Sequence, residues 1–179
     1  MRGDIHLRHT AVIFASIFAA ALAVAGVSTV EPERVEAATS VKSCTGGDVR
    51  LSAAEKAMLQ LYNHERASRD LPRLCVHPRL QKAANAHSRD MIQRGRFTHG
   101  NTGRRLRKFG YRWSAYAENI ARDDGRPSPE TTFRGWMRSS SHRSNILDRR
   151  LDEVGVGAAT GRVNGSRTTA WTVDLATRH

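Results

Sequence analysis

The hydrophobic period of this chain changes once, near residue 150, and that change restricts the fold more than any other feature. Before it, apolar residues recur at helical spacing. Ala54, Ala57, Met58, Leu61 and Tyr62 form one stripe, and Leu80, Ala83, Ala84, His87 and Met91 form a second. After it, Val154, Val156 and Ala158 alternate with small residues, and Thr169, Trp171, Val173 and Leu175 alternate again. Between these runs lies Arg162-Val163-Asn164-Gly165-Ser166, whose Asn-Gly pair is a strong hairpin signal. Helices first and an antiparallel pair last indicate an α+β architecture of packed layers.

Local signals bound the helices. Ser52-Ala53-Ala54-Glu55 is a capping box, so a helix opens there, and Asp70-Leu71-Pro72 ends it near Arg69. Pro78 suits the first turn of a second helix and Gly95 is its natural stop. A short basic helix is expected over residues 103–109, closed by Gly110. Ser128-Pro129-Glu130 opens another, with Phe133, Trp136 and Met137 as its apolar face. Residues 111–127 read mostly as loop, with Trp113 and Tyr116 packed beneath it, and residues 38–51 as an irregular arm broken at Gly46-Gly47. No internal repeat or low-complexity segment is evident.

The N-terminus points to export. Arg2 and Arg8 precede an uncharged run from Ala11 to Val30, and Ala23-Val24-Ala25 and Val35-Glu36-Ala37 both fit a small-x-small cleavage rule. A run of this length also suits a retained membrane anchor. Its alanine content and the diluting Gly26, Ser28 and Thr29 favour a signal peptide over residues 1–37. In either case the remainder faces outward, and about 140 residues favour one domain. Outside the cytoplasm the two cysteines, Cys44 and Cys75, are expected to form a disulfide pinning the arm to the loop after the first helix. A papain-like role for either cysteine lacks its local signature.

Residues 1–37 hold three of the 29 Lys+Arg and four of the 17 Asp+Glu, which leaves 26 basic against 13 acidic residues, a net charge of +13. A surface so basic attracts polyanions. For an exported protein these are wall polymers or anionic lipid headgroups; no nucleic-acid-binding module is visible, so nucleic acid is not an expected partner. Arginine-rich composition alone is the plainer explanation of the charge. A monomer is expected.

Three segments set titratable groups among apolar neighbours, the setting in which pKa values move and ligands bind: Phe97-Thr98-His99-Gly100, Tyr116-Ala117-Glu118-Asn119-Ile120, and the stretch from Trp136 to Leu147 with His142 and Asn145. His87 lies on a core stripe and reads as a satisfied core histidine, and His64 and His77 as surface or packing residues. Arg66 is expected to pair with an acid. Arg104, Arg105 and Arg107 read as an anion patch or, more commonly for such a run, a solvated face. Ser139, Ser140 or Ser141 beside His142 lack a nucleophile elbow.

FTHG, AENIA, WMRSSSHRSNIL and EVGVGAA followed by WTVDL, with LYNHERASRDLPRL and AANAHSRDM before them, resemble in order the CAP superfamily (cysteine-rich secretory, antigen 5, pathogenesis-related 1), also called SCP-like, and its short bacterial extracellular branch. The resemblance spans about residues 52–176 within a domain of 52–179. It implies an α-β-α sandwich with a small antiparallel sheet and adds strands near residues 113–122. It also implies a cleft lined by His99, Glu118 and His142, with Asn119 and Asn145 beside them. In some members such a cleft holds a divalent metal. The second glutamate of eukaryotic members does not carry over: Ser139 stands there, and Ser140-Ser141 replace the usual Pro-Gly.

Two neutral imidazoles and a carboxylate suit zinc with an open fourth position, which would activate water. A hydrogen-bonded polar cluster closing the cleft is the alternative, with Glu118 holding the histidines and Asn119 and Asn145 tying loops to backbone. The function expected is a secreted module that binds a cell-envelope or extracellular ligand, wall polymer or lipid. The rival is a metal-assisted hydrolase or peptidase using His99, Glu118 and His142 in the same cleft.

Overall fold

In chain order the elements are β1 (Thr39–Lys42), β2 (Asp48–Leu51), α1 (Ala53–Ala67), β3 (Cys75–Val76), α2 (Pro78–Arg94), α3 (Thr102–Lys108), β4 (Trp113–Asp124), α4 (Pro129–Arg138), α5 (Ser140–Leu147), β5 (Glu153–Val163) and β6 (Ser166–Arg178). This is a computed structural model, and it describes residues 38–179. The expected leader therefore lies outside the described residues. A four-stranded sheet of order β3-β5-β6-β4 forms the middle layer, antiparallel except where β3 joins β5.

The hairpin turns where its sequence says it should. Asn164 and Gly165 both take positive φ, 50° and 81°, the backbone a tight two-residue turn between right-twisted strands requires. The alternation on β5 then sorts its residues onto two faces. Val154 and Val156 enter a core with Met58, Tyr62, Trp136, Ile146, Trp171 and Val173, supplied from one side by α1, α4 and α5. Gly155 and Gly157 face the other way, toward α2. A Cβ on Gly155 would stand 2.2 Å from the carbonyl carbon of Leu80, and one on Gly157 would stand 2.5 Å from that of Ala84. Helix α2 thus lies with its backbone directly on β5, which gives the outer layer of an α-β-α sandwich.

Side chains close both exposed sheet edges, where unpaired backbone groups would otherwise invite association. Beyond the two-residue β3, the Gln81 amide takes over the edge of β5, accepting from Val156 N at 2.9 Å and donating back to Val156 O. Glu55 accepts from Ala158 N at 3.3 Å further along. On the opposite edge, Asn145 donates to Glu118 O at 3.2 Å and Trp136 to Ile120 O at 3.2 Å.

The capping box at Ser52 forms with both of its hydrogen bonds, and α2 ends on Gly95 at φ 61°. Cys44 and Cys75 form the expected disulfide, with Cα atoms 5.5 Å apart. Four expectations need correction. The arm is not irregular: β1 and β2 pair antiparallel, with Val49 and Leu51 turned inward, an alternation too short to stand out in sequence. Residues 111–127 are not mostly loop: β4 pairs along β6 from Trp113 to Asp124, where the family resemblance placed strands, and Tyr116 is exposed and not packed beneath a loop. Polar groups line both faces of β4, so it lacks an apolar alternation.

Ser128 precedes α4 but makes no side-chain cap bond; its N–H donates to Asp123 Oδ2 at 3.3 Å. Among the described residues, Arg66 pairs with no acid either. Fully buried, it donates to the carbonyls of Pro72, Ile146, Asp148 and Leu151 at 2.8–3.0 Å, fastening α1 to the α5–β5 connection.

Candidate functional site

The site forms where α2 stops. Gly95 turns the chain out of the helix. His87, in the second half of that helix, bonds Thr98 O through Nε2 at 2.9 Å and pins the loop that carries His99. Asn101 then caps α3, accepting from Arg104 N at 2.9 Å. Thr102 and Arg105 lie one turn apart on that helix and so share its inward face. Opposite them stands Glu118 on β4, directly across the sheet from Asp174 on β6.

Glu118 is buried and fully engaged. Its Oε1 meets His99 Nδ1 at 2.7 Å and accepts from Thr102 Oγ1 at 3.0 Å, while Oε2 accepts from the Arg105 guanidinium. His87 Nε2 lies 3.9 Å from Oε2. Arg105 also bridges to Asp174 Oδ1 at 3.2 Å. One guanidinium therefore serves two buried carboxylates. Arg105 Nε and Asp174 Oδ2 are buried without a hydrogen-bond partner among the described residues.

Burial pushes the Glu118 carboxyl above its ordinary range, and Arg105 opposes that rise. Asp174, wholly buried beside Glu118, is pushed well above its own range by burial first and its neighbour's charge second. A proton held by Asp174 leaves Arg105 facing one net negative charge. The histidines move the other way. Burial, then the Arg105 charge, lowers His87 to about 4, and the same two causes lower His99. Burial lowers His142, with the His99 charge second.

His142 stands apart from this cluster. It is held on α5, its ring against Trp136 with centroids 6.3 Å apart, and its Nδ1 bonds Ser139 Oγ at 2.9 Å. Asn119 donates to His142 O at 3.1 Å and to the Tyr62 hydroxyl at 2.9 Å, and Asn145 donates to Asn119 Oδ1 at 2.9 Å. The two asparagines thus tie α5 to β4 and α1. The structure joins His99 to Glu118 directly and places His142 within electrostatic reach of His99, with no bond to Glu118.

The donor set does not fit zinc held directly by all three side chains. Both Glu118 oxygens are already engaged, one by a guanidinium that competes with any cation. Among the described residues, no group of three or more His, Cys, Asp or Glu is gathered closely enough to hold a metal ion. Among the described residues, the Nε2 atoms of His99 and His142 make no hydrogen bond. Each ring is oriented through Nδ1, as a hydrogen bond on the far nitrogen orients a ligating histidine.

Sequence reasoning missed Thr102, Arg105, Asp174 and the contact of His87. Signals for two of them existed. Asp174 is an acid set between Val173 and Leu175 in the buried stretch of β6, and Arg105 lies a turn beyond the cap of a short helix. A cavity of about 380 Å³ opens behind the His99 loop, lined by His87, Asp90, Arg104, Arg105 and Lys108, so the cluster is approached from that side too.

The cysteine-rich secretory protein (CAP) family model matches residues 59–175. The chain belongs to this family. The uncharacterized protein YkwD of Bacillus subtilis (strain 168) is 34% identical over 125 residues, which covers 67% of this chain and 48% of that protein. A Bacillus anthracis (strain Ames) structure described as an extracellular protein containing a SCP domain is similar at TM-score 0.59 and 26% identity, over 70% of this chain and 40% of that one. An outer surface protein from Borrelia burgdorferi reaches TM-score 0.61 at 14% identity, over 80% of this chain and 100% of that one, a likeness of fold alone. This CAP chain spans about half the length of the curated relative it matches. Ser139, at the position where eukaryotic CAP members carry a second glutamate, holds the His142 ring with an uncharged hydroxyl. Among the described residues, no helix is long and apolar enough to cross a membrane.

Proposed function

We propose that this CAP domain is exported and acts as a ligand-binding module at the cell envelope, holding its ligand over the cleft between His99 and His142. The observation that carries this reading is the state of Glu118. Hydrolysis that uses Glu118 as a base or metal ligand needs that carboxylate free, and Glu118 already bonds His99, Thr102 and Arg105. What the cleft offers a ligand is two imidazoles held neutral near pH 7, set in a domain of net charge +13. With Nδ1–H given to Glu118, neutral His99 presents Nε2 as an acceptor, whereas His142, whose Nδ1 can accept from the Ser139 hydroxyl, can present Nε2–H as a donor, and the surrounding positive charge draws anionic ligands.

Export is supported by the leader-like N-terminus, the Cys44–Cys75 bridge and the extracellular SCP-domain relative in Bacillus anthracis. The ligand class is an anionic envelope component, carried on wall polymer or on lipid. Retention of the exported protein on purified wall and on anionic liposomes at physiological salt tests the reading, with His99→Ala and His142→Ala expected to weaken retention. Absence of retention on both materials refutes it. The metal-assisted alternative is tested separately by elemental analysis of wild type and His142→Ala; equal trace metal in the two removes its basis.

A further inference from the structure

At the far end of α2 from the His99 cleft, a cavity of about 680 Å³ opens between the first turn of that helix, the Gly110–Arg112 corner and the end of β6. The 17 residues of α2, at ~1.5 Å each, separate the two places by about 25 Å. Arg79, Lys82, Arg112 and Arg178 line the cavity, and among the described residues no Asp or Glu lines it.

Two of the four cations are held in position. Arg79 donates to Gly110 O at 2.5 Å, which leaves most of its five N–H donors free. Arg178 pairs at 2.8 Å with Glu153, which is buried behind the wall and accepts from the Tyr111 hydroxyl at 2.7 Å. The Tyr111 ring in turn packs edge-on against buried His77, centroids 4.9 Å apart. Lys82 and Arg112 are exposed and form no ion pair among the described residues. With Glu153 balancing Arg178, Arg79, Lys82 and Arg112 leave the cavity wall with an excess of positive charge.

Planar guanidinium forks match the oxygens of phosphate in bidentate pairs, and the first turn of α2 adds its partial positive charge. The volume lies in the range of pockets that enclose organic ligands and exceeds what a bare ion fills. We propose that this cavity is a second binding site, one that takes a phosphate ester through Arg79, Lys82, Arg112 and Arg178. The proposal stands apart from the reading of the His99 cleft, and either can fail alone.

Calorimetric titration of the exported protein with glycerol phosphate at fixed ionic strength tests it, with glycerol as the uncharged control. Lys82→Ala and Arg112→Ala remove exposed side chains and leave the core intact. Each is expected to raise Kd about tenfold, the effect of one charge-assisted contact, and the double variant roughly a hundredfold. Arg104→Ala, on α3, is expected to leave Kd unchanged. Phosphatidylglycerol vesicles form a parallel arm: retention lost in the double variant identifies a lipid headgroup as a source of the ester. Binding of glycerol phosphate without vesicle retention identifies a soluble or polymer-borne ester. The proposal is overturned if glycerol phosphate binds no better than glycerol. It is equally overturned if the double variant binds as wild type does, or if Arg104→Ala weakens binding as much as Arg112→Ala.

Discussion

Arg105→Met is the substitution that most directly probes how the cluster is held together. The methionine keeps much of the length of the side chain and removes the charge that stands between Glu118 and Asp174. Breaking a buried ion pair by deleting one partner costs about 3–5 kcal/mol, because the remaining charge stays buried and uncompensated. For a domain of about 140 residues, that corresponds to a fall in Tm of roughly 10–15 °C at pH 7.5. The pH dependence follows from the direction of the shifts. Both carboxyls have folded pKa values raised above their unfolded ones, so the folded state holds extra protons, and the stability this gives is lost as pH rises through the folded pKa. Arg105 opposes that rise in wild type; in the variant the carboxyls move higher still. The deficit is therefore largest near neutral pH and shrinks as pH falls and both carboxyls protonate. His87 and His99, relieved of the Arg105 charge, reinforce the trend by accepting protons more readily. Thermal melts of both proteins at pH 7.5 and pH 5, in the presence of a chelator, give the answer. An equal deficit at the two pH values would refute the reasoning, since it would mean that Arg105 acts through packing and not through charge.

Three further outcomes are expected. Gly157→Ala places a Cβ 2.5 Å from the Ala84 carbonyl carbon, so α2 must shift off β5, and urea unfolding should show a loss of about 2–3 kcal/mol; an unchanged midpoint would contradict the close approach. Reduction of the Cys44–Cys75 bridge, which closes a loop with a sequence separation of 31, should lower stability by about 3–4 kcal/mol in urea melts with and without reductant, and a shift below about 1 kcal/mol would not fit. The His87 ring, lowered to about 4 by burial and by Arg105, should remain neutral down to about pH 5 when followed by NMR. Because its folded pKa lies below its unfolded one, its contribution to stability is present above about pH 6.5 and fades as pH falls toward 4.

The elements legible in the sequence are those whose signals are local and repeated. The capping box at Ser52, the Pro78 and Gly95 punctuation of α2 and the Asn164-Gly165 turn each act over a few residues, and each appears in the structure as expected. The valines and glycines of β5 also alternate visibly, although only the structure shows that the glycines receive the backbone of α2. Strand β4 escaped the periodicity because neither of its faces is wholly apolar: Glu118 turns to α3, while Asn119 turns to Tyr62 and α5. Such a strand is defined by its pairing with β6, a long-range fact with no local signature. The β1–β2 hairpin failed for the opposite reason, being four residues on each side.

The candidate site divides in the same way. His99, Glu118 and His142 stand out because each is a titratable group among apolar neighbours, but their sequence positions carry no information about which groups a buried carboxylate will engage. That depends on Arg105 and Asp174, placed by helix and strand packing at sequence distances of 13 and 56 residues from Glu118. Arg105 sits in a run of arginines in which a solvated face is the ordinary outcome; what separates it from Arg104 and Arg107 is its phase on α3, one turn from Thr102 on the side that meets the sheet. The consequence is chemical. A glutamate between two histidines resembles a ligand or a base when only the sequence is known, whereas the same glutamate fixed by a guanidinium is an internal counter-charge that orients His99. The distinction rests on one ion pair, which is why the pH dependence of Arg105→Met bears on the function of the cleft as well as on its stability.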